Sequence, residues 1–225
     1  MTGSLVSPTA RARVRELATP VARGLGRLGL TPNALTVIGF LGTCVGALAA
    51  ALQAWPAAGI LVLAFGIFDL FDGALARATG RVSRLGAFLD STFDRAGEVI
   101  TFVGIVAGCL GAGFELGAGL AAAAMAASSL VPYTRAKAES LGFAPGSGMI
   151  QVGLAPREVR VTLIGLGLLL TPLAGSGALA TALGLVAALA SITAVQRILY
   201  VAKVARDEGR HAEGRHAEPR QAREG

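Results

Sequence analysis

Apolar residues along this chain fall into six long runs. They cover 33–53, 56–76, 87–111, 115–138, 157–173 and 177–202, each close to the roughly 20 residues a helix needs to cross a bilayer. Turns rich in Gly, Pro and polar residues punctuate them: QAWP at 53–56, GAG at 111–113, LGFAPGSG at 141–148 and TPLAGSG at 171–177. The pattern predicts an all-α integral membrane protein with six transmembrane helices. Ahead of the first run, TARARVRELATPVARGLGRLGL mixes Arg with Leu and Val at helical spacing. That mixture predicts an N-terminal amphipathic helix lying in the membrane interface. The expected organisation is a basic arm with an interfacial helix at 1–28, a six-helix domain at 29–205 and a disordered polar tail at 206–225.

Composition sharpens the picture. The chain is 53% hydrophobic and 15% charged, with a mean hydropathy of +0.64, more apolar than a soluble domain of 225 residues. Its 31 glycines suit membrane helices whose backbones approach closely. All twenty Lys and Arg residues can be placed on one side of the predicted membrane, and the three opposite turns carry only Glu115. Positive charge stays cytoplasmic, so both termini should face the cytoplasm of a cell-membrane protein. An even number of spans requires the same. Lipid is the expected surrounding partner, and no nucleic-acid partner is expected. Cys44 and Cys109 lie inside apolar runs away from any His and read as core positions. His211 and His216 fall in a tail that repeats GRHAE.

One stretch breaks the apolar pattern. FDLFDGALARATGRVSRLGAFLDSTFDRAG, residues 68–97, places Asp69, Asp72, Asp90 and Asp94 at the ends of two spans. Carboxylates at membrane depth are expensive and mark function. On a helix Asp69, Asp72, Gly73, Ala76 and Arg77 share a wedge about 140° wide. Gly73 and Ala76 leave room beside the acids. Asp90 and Asp94 are i, i+4 neighbours, and Gly86 extends their stripe. Two carboxylate pairs on adjacent helices can converge on one site of hard oxygen donors, suited to Mg²⁺ or Mn²⁺. Mutual repulsion of four acids favours two ions, and such a site clamps phosphate oxygens.

Asp69-Leu-Phe-Asp72-Gly73-Ala-Leu-Ala76-Arg77, then eight residues, then Gly86-Ala-Phe-Leu-Asp90-Ser-Thr-Phe-Asp94 resembles the signature of the CDP-alcohol phosphotransferase family at all eight fixed positions. The broader likeness covers roughly 15–205, including the LTPN entry to the first span. The resemblance implies a six-helix membrane enzyme, commonly homodimeric, that displaces CMP from a CDP-linked lipid such as CDP-diacylglycerol with an alcohol. It implies Asp69, Asp72 and Asp90 as ligands of two divalent ions, and Asp94 as general base lying close to a metal. Gly73, Ala76 and Arg77 would form the CDP pocket, with Ser83 and Asn33 as further candidates.

A second constellation speaks to the acceptor. VPYTRAKAESLG closes the fourth span, APREVR opens the fifth and VQR lies near the end of the sixth. Cations beside a metal site fit an acceptor that carries its own phosphate, although topology alone also places basic residues at these span ends. Arg135 and Lys137 lie two residues apart and point about 200° from each other, so only one can face a shared pocket. Lys137, Arg157 and Arg197 are the expected phosphate ligands, and Arg160 shares a face with Arg157. Within the family, the Tyr-x-Arg-x-Lys-Ala-Glu and Val-Gln-Arg runs resemble actinobacterial phosphatidylinositol phosphate synthases, which implies inositol 1-phosphate as acceptor. The run LAPREVR departs from the ERxER-like run usual there. A phosphatidylglycerophosphate synthase using glycerol 3-phosphate is the near alternative.

Readings from other classes fit less well. An intramembrane prenyltransferase would need a second Asp-rich motif, and no Asp lies between Asp94 and Asp207. A small transporter would carry polar residues in several spans and an internal repeat; the third to sixth spans are apolar beyond Arg95 and Glu98. Those two residues are spaced for an i, i+3 salt bridge. Gly104, Gly108 and Gly111 are spaced for close packing, within the bundle or at a dimer face.

Overall fold

The computed structural model describes residues 19–143, 153–154 and 156–221; the side chains of 69, 70, 209 and 211–221 lie outside that description. Among the described residues the regular structure is helical throughout. A short helix α1 (19–27) leads into α2 (Pro32–Ala51), α3 (Trp55–Gly66), α4 (Phe68–Ala78), α5 (Arg84–Gly111), α6 (Glu115–Ser140), α7 (Arg157–Ala174) and α8 (Ser176–Gln221). Each predicted span matches a helix, with α3 and α4 sharing the second. They meet at Ile67, whose αR backbone closes one helix and opens the next.

Helix starts follow local chemistry. Thr31 caps α2 by accepting a hydrogen bond from the Ala34 N–H at 3.2 Å, with Pro32 pre-set in the first turn. Ser83 caps α5 through the Gly86 N–H at 2.9 Å. The tail differs from its expectation, because α8 continues to Gln221. Residues 207–221 hold three Glu, three Arg and two Ala, which favour helix, and Arg210 pairs with Asp207 one turn earlier.

Six of these helices close a ring. Passing round it, α2 packs on α3, α3 on α7, α7 on α8, α8 on α6, α6 on α5, and α5 on α2. Consequently α5 and α7 stand on opposite sides of the ring. Phe102, Ile105, Ile164, Leu168, Leu183 and Val186 fill its apolar half. Large apolar side chains also face outward; Leu48, Leu110 and Leu173 are 59%, 58% and 84% exposed, as lipid-facing positions would be. Among the described residues, four stretches are long and apolar enough to cross a membrane: Pro32–Ala51, Trp55–Ala78, Glu115–Ser140 and Ser176–Glu208. The two ring helices absent from that set, α5 and α7, are the ones that carry Asp90, Asp94, Arg95, Glu98, Arg157, Glu158 and Arg160. Helix α1 lays Ala22 and Leu25 against Leu75 and Leu35, and leaves Arg23 and Arg27 exposed. The expected amphipathic segment begins earlier, and residues 1–18 lie outside the described ones.

Glycine decides how closely the helices meet. A Cβ added at Gly104 or Gly108 would run into the carbonyl oxygens of Ala47 and Ala50 on α2. Of the two uses open to these glycines, packing within the bundle is the one observed. Gly59 of α3 likewise sits against α7, where a Cβ would lie 2.7 Å from the Gly165 carbonyl oxygen. Gly104→Val and Gly108→Val should each destabilise the protein by about 1–3 kcal/mol or more, the usual cost of overpacking against an element that cannot yield. Gly119→Val, at a position with open space, should not. Thermal unfolding in detergent checks this, and an equal loss at Gly119 would refute it.

Candidate active site

The two halves of the Asp signature lie on α4 and α5. Asp72 is buried, and the Thr36 hydroxyl on α2 donates to its carboxylate at 2.6 Å. The negative charge of Asp90 bears on both Asp72 and Asp94, so three acids from two helices act within one electrostatic neighbourhood. The side chain of Asp69 lies outside the described residues. Among the described residues no three His, Cys, Asp or Glu side chains form a group that could hold an ion by itself. The donor set is nonetheless made of carboxylate oxygens, and buried like charges of this kind are offset by a hard cation.

Small residues here make room. A Cβ at Gly73 would meet the Arg77 guanidinium at 3.3 Å, so this charged group lies over the helix where the side chain is missing. Ala76 follows, half-buried on the same helix. Asn33 Oδ1 and Ser83 Oγ flank Gly86, 3.2 and 3.0 Å from where its Cβ would be. Asn33, Ser83 and Gly86 are thus brought together from α2, the α4–α5 turn and α5. Ser83 also spends its oxygen on capping α5.

Beside the acids lies a cavity of about 440 Å³. Five arginines line it, Arg95, Arg135, Arg157, Arg160 and Arg197, against two acids, Asp94 and Glu158. Asp94 therefore belongs to both neighbourhoods. Its carboxylate pairs with Arg157 at 3.1 Å and more loosely with Arg95 at 3.9 Å. Arg197 is buried and donates to the Val131 carbonyl of α6, beside Pro132, which interrupts that helix's hydrogen-bond ladder.

Three sequence expectations change here. Lys137 is exposed and does not line the cavity, whereas Arg135 does, with Glu139 accepting from it at 2.8 Å. The two were expected on opposite sides of the helix; the rotation of α6 against α8 turns Arg135 inward. Arg160 lines the cavity but is already committed to an acid. Its Nε and Nη2 donate to the two Glu98 oxygens at 2.7 and 2.8 Å, with both side chains buried. Glu98 consequently pairs across the ring rather than with Arg95. Sequence reasoning passed over Thr36 as a partner of Asp72; a Thr one turn beyond Asn33 in an apolar run is its only signal, and nothing local says which helix it faces.

Comparison with known proteins now bears on this geometry. Residues 29–205 match the family described as CDP-alcohol phosphatidyltransferase. An archaetidylinositol phosphate synthase of Pyrococcus horikoshii is 37% identical over 193 residues, covering 86% of this chain and 94% of that protein. A phosphatidylinositol phosphate synthase of Cutibacterium acnes is 35% identical over 201 residues, covering 85% and 95%. The crystal structure of Mycobacterium tuberculosis phosphatidylinositol phosphate synthase with CDP-DAG bound superposes with a TM-score of 0.73 at 31% identity, covering 83% of this chain and 94% of that one. The same enzyme in complex with manganese and citrate gives 0.71 at 31% identity, covering 82% and 88%. With carboxylates at signature spacing on two helices of one ring, and that agreement over 29–205, the chain belongs to the CDP-alcohol phosphatidyltransferase family.

Proposed function

We propose that the protein transfers a phosphatidyl group from CDP-diacylglycerol to the hydroxyl of inositol 1-phosphate, releasing CMP and leaving phosphatidylinositol phosphate in the membrane. The observation that carries this is the position of Asp94, at the border between an acidic cluster and an arginine-lined cavity. A base at that border can face a donor diphosphate on one side and a phosphorylated acceptor on the other. The relatives support the headgroup: archaetidylinositol phosphate and phosphatidylinositol phosphate synthases differ in lipid but share an inositol phosphate product in their names. Glycerol 3-phosphate, also phosphorylated, is the competing acceptor.

In this reading Asp94 takes the proton of the acceptor hydroxyl. The acceptor oxygen then bonds to the phosphorus attached to the lipid, as the bond from that phosphorus to the oxygen of CMP breaks. Arg157 and Arg197, with Arg135 at the cavity wall, hold the acceptor phosphate by charge-assisted hydrogen bonds. Arg77, over Gly73, meets donor diphosphate charge, and Asn33, Ser83 and Ala76 line the approach of the nucleotide. Asp69, Asp72, Asp90 and Asp94 would hold Mg²⁺ or Mn²⁺, two ions by the number of acids. Bound there, divalent cations neutralise charge building on the diphosphate and on departing CMP. The M. tuberculosis structure with manganese supports a divalent ion here.

Six crossings of the cell membrane follow if α5 and α7 span as well. Their charge is what lowers their hydropathy, and Asp94–Arg157 and Glu98–Arg160 neutralise much of it internally. Both termini then face the cytoplasm, where positive charge is retained. The homodimer rests on the family resemblance.

Purified protein with Mn²⁺ and CDP-diacylglycerol should release CMP with inositol 1-phosphate but not with free inositol, and Asp94→Asn should abolish release while donor binding survives. Release with glycerol 3-phosphate alone would reassign the acceptor. Arg197→Ala should raise the acceptor KM about tenfold or more, as for a lost charge-assisted hydrogen bond, and the donor KM by less than about twofold. Equal changes in both would remove Arg197 from the acceptor site. Thr36→Val should weaken Mn²⁺ binding about tenfold, the lower end for loss of a group that orients a ligand, with Thr36→Ser close to the parent. Mn²⁺ titration by electron paramagnetic resonance reads this directly, and unchanged affinity in the Val variant would separate Thr36 from the metal.

A further inference from the structure

Two ion pairs cross the centre of the ring. Asp94 and Glu98 are four residues apart on α5, and Arg157 and Arg160 are three apart on α7. Their pairings, Asp94 with Arg157 at 3.1 Å and Glu98 with Arg160 at 2.7 Å, advance together along both helices like rungs. The first rung faces the cavity. The second lies one turn deeper, with side chains 2% and 6% exposed and two parallel hydrogen bonds. Closely packed neighbours hold each helix on its own side, α2 and α6 beside α5, and α3 and α8 beside α7. The fork from Arg160 to Glu98 therefore joins two helices that the ring keeps apart.

We infer that the Glu98–Arg160 pair is a positioning device that sets the rotation and height of α7 so that Arg157 faces the acceptor cavity beside Asp94. This deepens the phosphatidyltransferase reading above and rests on it. Three physical points support it. A buried ion pair contributes little net stability over a well-packed apolar pair, so cohesion alone is a poor account of it. Its two-pronged geometry fixes direction as well as distance. A slip of one residue would rotate Arg157 by about 100° away from the cavity. Neither Glu98 nor Arg160 need touch substrate for this role, since both guanidinium nitrogens that face Glu98 are already committed.

The test is a Glu98→Gln/Arg160→Gln double variant, which removes both charges and leaves neither buried alone. It is compared with the parent and with Arg160→Lys, which keeps the charge but loses the fork. CMP release is measured against inositol 1-phosphate, glycerol 3-phosphate and CDP-diacylglycerol, and Mn²⁺ affinity is measured separately. The double variant should raise the KM for the phosphorylated acceptor about tenfold, as expected for a misplaced binding group, and leave the donor KM and Mn²⁺ affinity within about twofold. Arg160→Lys should show the same split to a lesser degree, and carries the comparison if the double variant does not fold. An unchanged acceptor KM, or equal changes in both KM values and in Mn²⁺ affinity, would overturn the positioning role. A parent protein that releases CMP with neither phosphorylated acceptor would instead overturn the enzymatic reading, and the role of the pair with it.

Discussion

Charge that must be neutralised away from water is the constraint on which this structure turns. Helices α5 and α7 bring four acidic or basic side chains into the ring at Asp94, Glu98, Arg157 and Arg160. An ion left alone in such surroundings is costly, and removing one member of a buried pair costs about 3–5 kcal/mol. The ring order satisfies this by placing α5 opposite α7, with their acids and bases meeting at its centre. Close approach of α2 to α5 at Gly104 and Gly108, and of α3 to α7 at Gly59, holds the two sides at the spacing those side chains can bridge.

The same arrangement divides the interior by sign. Asp72 lies against Thr36 of α2, and the cavity arginines come from α5, α6, α7 and α8. Asp94 stands between them. The proposed reaction, which joins two phosphate-bearing molecules, would use this separation: cations on an acid cluster for the diphosphate, arginines for the other phosphate, and a base at the junction. Among the described residues the cavity carries five arginines against two acids, an excess of positive charge that favours an anionic group over an uncharged polyol.

Much of the fold was legible in the chain. Each of the six apolar runs coincides within a few residues with a helix or, for the second, with the α3–α4 pair, because hydropathy and Gly/Pro punctuation act locally. Spacing alone placed Asp72 near Gly73 and Arg77, and Asp90 one turn from Asp94. The tail misled, since its polarity argued for disorder while its Ala, Glu and Arg content sustains α8. Arg135, and not Lys137, lines the cavity among the described residues; helical period fixes which residues share a face but not how that face is turned against α8.

The sequence by itself determined the acidic signature, the long apolar segments and the clustering of basic residues at their ends. These depend on residue type and on spacing within one helix. Only the tertiary structure decided that Thr36 serves Asp72, that Glu98 consumes Arg160, that Arg135 rather than Lys137 lines the cavity, and that Asp94 stands between acids and arginines. Each of those joins residues tens of positions apart, or depends on how a helix is rotated against its neighbours. Backbone contact at glycine and charge pairing across the ring set that rotation.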